Sequence, residues 1–96
     1  MKRESYDKAK MLLYRIDDLS SSADNMTEIL ESLKKNGGTA KLIVHTGGKD
    51  STTEMTKELS ETVCTEILKT YNDLIRIAKT EINNIVDDAI CSIQRR

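Results

Sequence analysis

Apolar residues recur at steps of three and four along two long stretches of this chain. In the first, Ala9, Leu12, Ile16, Leu19, Ala23, Met26, Leu30 and Leu33 fall on one line. That spacing is the heptad of an amphipathic helix and predicts one over residues 3–36. Met11, Leu13 and Ile29 widen the stripe, which points to more than one neighbouring helix. Ser20-Ser21-Ser22 does not shift its phase, so the helix is expected to run through the serines as exposed positions. Asn36-Gly37-Gly38 then supplies a stop, because Asn and Gly tolerate the left-handed conformation of a helix C-cap.

The second stretch carries Cys64, Leu68, Tyr71, Ile75, Ala78, Ile82, Ile85 and Ala89 in the same rhythm. A second row runs through Val63, Ile67, Leu74, Val86, Ile90 and Ile93. Two adjacent apolar rows require at least two neighbours. Ser51-Thr52-Thr53-Glu54 has the spacing of a capping box and predicts the helix start, giving a helix over 52–95. At 1.5 Å per residue the two helices span ~50 Å and ~63 Å. A fold-back would leave Ile90 and Ile93 overhanging in water, at roughly 1.5–3 kcal/mol each. Self-association into a larger bundle covers them.

Between the helices, Ala40, Leu42 and Val44 alternate with Lys41, Ile43 and His45, a half-exposed strand pattern. No second strand is evident, so the segment is either a solvated loop or pairs with the same segment of another copy. The expected fold is mainly α. Two long amphipathic helices are joined by a short strand and Gly-rich loop (37–51), forming a helical hairpin that assembles into an oligomeric bundle. Residues 1–96 make one domain.

Composition limits what such a bundle can do. The chain has no Phe or Trp and three Tyr, so its core is aliphatic, and a monomer of this size is marginal. Charged residues are 32% of the chain, yet the net charge is −1. That balance argues against general nucleic-acid binding. No segment approaches the ~18 apolar residues of a membrane span, and no apolar run follows the charged N-terminus as in a secretory signal. A cytoplasmic location without a membrane partner is expected. Cys64 and Cys91 lie on one predicted helix, roughly 40 Å apart, too far to bridge. They are expected to be buried small residues in a reducing compartment, with a disulfide between copies as the alternative.

Candidate chemistry concentrates in Val44-His45-Thr46-Gly47-Gly48-Lys49-Asp50-Ser51-Thr52. Glycines let backbone approach a phosphate, helix-start amides donate to it, and hydroxyls and a lysine complete a cradle. This segment resembles the pyrophosphate loop of the PP-loop ATP pyrophosphatases, Ser-Gly-Gly-x-Asp-Ser-Ser/Thr between a strand and a helix. Thr46 stands in place of the first Ser. The resemblance spans about nine residues, and that family's multi-stranded parallel sheet has no room in this chain. It implies a local anion site on Lys41, His45, Thr46, Gly47, Gly48, Lys49, Ser51 and Thr52, and no complete nucleotide enzyme. The same segment also suits an ordinary Gly-rich turn before a capped helix.

Other candidates point to structure. His45 is the lone histidine, with Asp50 as its nearest orienting carboxylate, and is expected on an exposed strand face. One His and two distant Cys make no metal cluster. Asp17-Asp18 and Asp87-Asp88 are expected as solvated faces, and Arg95-Arg96 as a complement to a helix C-terminus. The chain is therefore expected to be no enzyme and to need no cofactor. One expectation is a homo-oligomer that sequesters a phosphorylated or nucleotide-like ligand, similar in outline to small phage-encoded nucleotide sponges. The other is a structural or adaptor bundle acting through protein–protein contacts alone.

Overall fold

The computed structural model describes residues 2–94, with side chains through Cys91. The element order is α1 (Arg3–Asn36), β1 (Lys41–Thr46), β2 (Lys49–Glu54) and α2 (Lys57–Gln94). Two long helices are thus separated by an antiparallel two-stranded hairpin. The chain divides into two compact units: Met1–Ala23 with Thr70–Arg96, and Asp24–Lys69.

Both stripes have the orientation their spacing predicts. In the first unit, Ala23 and Ala78 are buried, while Leu12, Ile16, Leu19, Tyr71, Ile75 and Ile82 are half-buried. In the second unit, Leu30, Leu33 and Cys64 form a buried cluster against which Met26 and Leu68 pack. The three serines lie within continuous helix, but only Ser21 is exposed; Ser20 and Ser22 are half-buried at the margin of the stripe.

Helix α1 ends as its sequence indicates. Gly37 has φ +71°, and its N–H donates to the Leu33 carbonyl at 3.1 Å, the single bond of a left-handed C-cap. Lys34 and Lys35 occupy the last turn and oppose the negative end of the helix dipole.

Helix α2 starts later than the expected residue 52. Ser51–Glu54 is strand, so no capping box forms there. Thr56 caps instead: its Oγ1 accepts the Leu59 N–H at 3.2 Å. The expected absence of a second strand is also corrected. Lys49–Glu54 pairs with Lys41–Thr46, and β1 therefore has its backbone partner within the chain. Hydroxyl-rich Ser51-Thr52-Thr53 suits a helix start or a strand, and the tight turn before it decides in favour of the strand.

Ser60 joins the hairpin base to α2. It is fully buried; its Oγ accepts the Ala40 N–H at 2.8 Å and donates to the Thr56 carbonyl at 2.7 Å. Met55 N–H adds a bond to the Ala40 carbonyl at 3.0 Å.

Cys91 is exposed, which corrects its expected burial, whereas Cys64 is buried as expected; both are free thiols. Ile90 is exposed. The Ile93 side chain and Arg95-Arg96 lie outside the described residues. No described helix is long and apolar enough to cross a membrane.

Ser60→Ala keeps the volume but leaves the Ala40 amide without its acceptor. It is expected to cost about 1–3 kcal/mol in urea unfolding at fixed protein concentration. An unchanged midpoint would show that Ser60 does not hold the hairpin base.

Candidate functional site

Every residue of both strands is exposed, so the hairpin is the part of the chain that presents backbone and side chains together to solvent. Its turn is Gly47-Gly48, with φ +51° and +81°. Two successive positive φ values mark a type I′ turn, whose twist matches the flanking strands. The register runs from Thr46↔Lys49 at the turn to Lys41↔Glu54 at the base.

Directly opposed residues share a face. One face carries Leu42, Val44 and Thr46 with Lys49, Ser51 and Thr53. It is apolar and hydroxylic, with its one charge beside the turn. The other carries Lys41, Ile43 and His45 with Asp50, Thr52 and Glu54. There each basic side chain meets a carboxylate: Lys41 Nζ lies 3.4 Å from Glu54 Oε1, and His45 Nδ1 lies 2.6 Å from Asp50 Oδ1. These exposed pairs add little stability in water but order the side chains across the sheet.

The expected anion-site residues are therefore distributed over different surfaces. Lys41, His45 and Thr52 lie on the charged face, Thr46, Lys49 and Ser51 on the other, and Gly47 and Gly48 between them at the tip. The glycines serve the reversal of the chain. The helix start that would complete a cradle is separated from them by β2, ~20 Å of extended chain. The strand–loop–helix order of the pyrophosphate-loop resemblance becomes strand–turn–strand. Asp50, expected as a possible orienter of His45, does meet it, but on an open surface.

Grooves among the described residues accompany the helices. One, of about 580 Å³, is lined by Glu4, Asp7, Lys8, Met11, Leu12 and Arg15 in the first unit. Another, of about 420 Å³, lies along Glu28–Leu33 and Gly37–Thr39 in the second. Neither includes a residue of the expected anion site. Among the described residues, no group of three or more His, Cys, Asp or Glu side chains is placed to hold a metal ion.

Strand β2, and Glu54 as the partner it brings to Lys41, were not anticipated from the sequence. A signal for it was present. Gly-Gly between an alternating apolar run and a β-branched, hydroxyl-rich run is a two-residue hairpin pattern.

No protein-family model matches the chain, and no curated protein or solved structure matches it.

Gly47→Asn is expected to preserve the hairpin, because Asn-Gly also fits a type I′ turn. Gly47→Val forces a β-branched residue to positive φ, at a cost of about 1–2 kcal/mol or more. Amide exchange at Val44 and Ser51 is expected to speed up at least tenfold in the Val variant alone. Equal protection in both variants would contradict the turn assignment.

Proposed function

We propose that this protein is a non-catalytic, self-associating helical scaffold or adaptor that works through protein–protein contacts. The observation that carries this reading is the set of large apolar side chains left in solvent on both helices. Exposed apolar surface of this kind marks contact with another protein surface.

The exposed surface has the composition an interface needs. On α1 it includes Tyr6, Met11, Leu13 and Tyr14, with Met11 at 72% exposure. On α2 it includes Ile77, Val86 and Ile90. Tyr6 and Leu13 are seven residues apart, and Val86 and Ile90 four apart, so each pair lies along one helix side. Among the described residues the buried apolar side chains are Ala23, Leu30, Leu33, Cys64 and Ala78. A second layer of helices supplies the burial that this thin core lacks.

Sequestration of a phosphorylated ligand has weaker support. It called for glycines next to a helix start, and β2 occupies that junction.

Sedimentation velocity at micromolar concentration is expected to give a mass well above 10.8 kDa. Met11→Glu combined with Val86→Glu is expected to lower that mass while helical circular dichroism persists. A stable wild-type monomer would refute the scaffold reading. A panel of nucleotides and sugar phosphates is expected to leave the melting temperature unchanged. A shift of several degrees that Lys49→Ala abolishes would instead favour ligand sequestration.

A further inference from the structure

We propose that the hairpin is an assembly module in which the β1 edge of one copy pairs antiparallel with the β2 edge of the next. This contact is separate from the helix faces and does not depend on them.

The backbone provides the first argument. A two-residue turn makes Thr46↔Lys49 a hydrogen-bonded pair, so Val44↔Ser51 and Leu42↔Thr53 are bonded too. The bond from Met55 N–H to the Ala40 carbonyl extends the same alternation. The N–H and C=O groups of Lys41, Ile43 and His45 consequently point away from β2. Those of Asp50, Thr52 and Glu54 point away from β1. Each edge is a six-residue strand with continuous register, without proline and exposed throughout. Leu42, Ile43 and Val44 are 51%, 53% and 42% exposed. These edges carry no proline or bulge, and their guards are charged side chains, Lys41 on one edge and Asp50 and Glu54 on the other.

Charge selects the partner and the register. Pairing β2 with β2 about Thr52 sets Asp50 against Glu54, a like-charge contact. Pairing β1 with β1 about Ile43 sets Lys41 against His45 and gains no opposite charge. Pairing β1 with β2 of the next copy sets Lys41 against Glu54, Ile43 against Thr52 and His45 against Asp50. All three positions have outward-pointing backbone groups, so they form bonded pairs across the new contact. A shift of two residues places Ile43 against a carboxylate and shortens the overlap. One arrangement therefore satisfies every outward amide and sets both Lys41 and His45 against carboxylates.

The product is a ladder in which Lys41 lies between two Glu54 side chains and His45 between two Asp50 side chains. The opposite face of the growing sheet is the apolar and hydroxylic one. The contact joins unlike edges, so it is heterologous and generates a ring when the rotation closes. Each hairpin adds two twisted strands, and closure at about six to eight strands takes three or four copies. With the apolar and hydroxylic face inward, such a ring covers Leu42 and Val44, keeps Lys49 at the rim beside the turns and leaves the charge ladder in water.

The test uses full-length chains with Cys64→Ala and Cys91→Ser, so that introduced thiols report alone. Chains with Ile43→Cys and chains with Thr52→Cys are unfolded together, refolded and treated with a short bis-maleimide, each end of which adds one thiol. The positions should lie ~5.5 Å apart between Cα atoms across the contact. The expected product is a covalent dimer of one Ile43→Cys and one Thr52→Cys chain, at least about fivefold above the product of either variant alone. Equal or greater product from a single variant, or none from the mixture, overturns the proposal. Lys41→Glu is further expected to raise the dissociation constant of the assembly about fivefold, and adding Glu54→Lys to restore it. An assembly indifferent to Lys41→Glu also overturns it.

Discussion

Two helices side by side can each turn only one stripe toward the other, and the rest of this molecule follows from that limit. The stripes hold the short aliphatic cluster of Leu30, Leu33 and Cys64 in the second unit and small residues, Ala23 and Ala78, in the first. Small residues allow close backbone approach but bury little area. Tyr6, Met11, Leu13, Ile77 and Val86 are left in solvent. The chain therefore has a defined internal contact and apolar side chains unused by it, and the proposed assembly rests on those side chains.

The hairpin reaches solvent for a different reason. Its strands are too short and too polar to build a core of their own. It is held at the base, where buried Ser60 accepts the Ala40 amide, and at the tip, where two glycines supply the conformation of the turn. Between those points, the in-register cross-strand pairs order the surface. Lys41 is held beside Glu54 and His45 beside Asp50, so two of the basic side chains that could have met a phosphate already face carboxylates, and Lys49 lies on the other face. The same pairing places Lys41 and His45 on one edge and Asp50 and Glu54 on the other, which is the basis of the proposed pairing between copies.

The helices were legible because their signal is periodic and redundant. Eight positions at heptad spacing define α1, and losing one or two would not change the stripe. The region 49–54 was not, because Ser, Thr and Glu there satisfy two local grammars. Read forward from Ser51 they are a capping box; read across from Gly47-Gly48 they are a returning strand. Local propensity does not separate the two. Six cross-strand pairs with β1 outweigh one capping interaction, and Thr56 caps the helix a few residues later.

By itself the sequence determined two amphipathic helices, their stripes, the glycine stop after α1 and an uncovered apolar surface. These follow from composition and period, which are properties of each segment alone. Only the tertiary structure decided that Lys49–Glu54 is a strand, that Ser60 anchors Ala40, and that Lys41 and His45 meet carboxylates instead of sharing one anion pocket. Those outcomes rest on contacts between residues up to twenty positions apart, as for Ala40 and Ser60. Their energies exist only once the chain has turned back on itself.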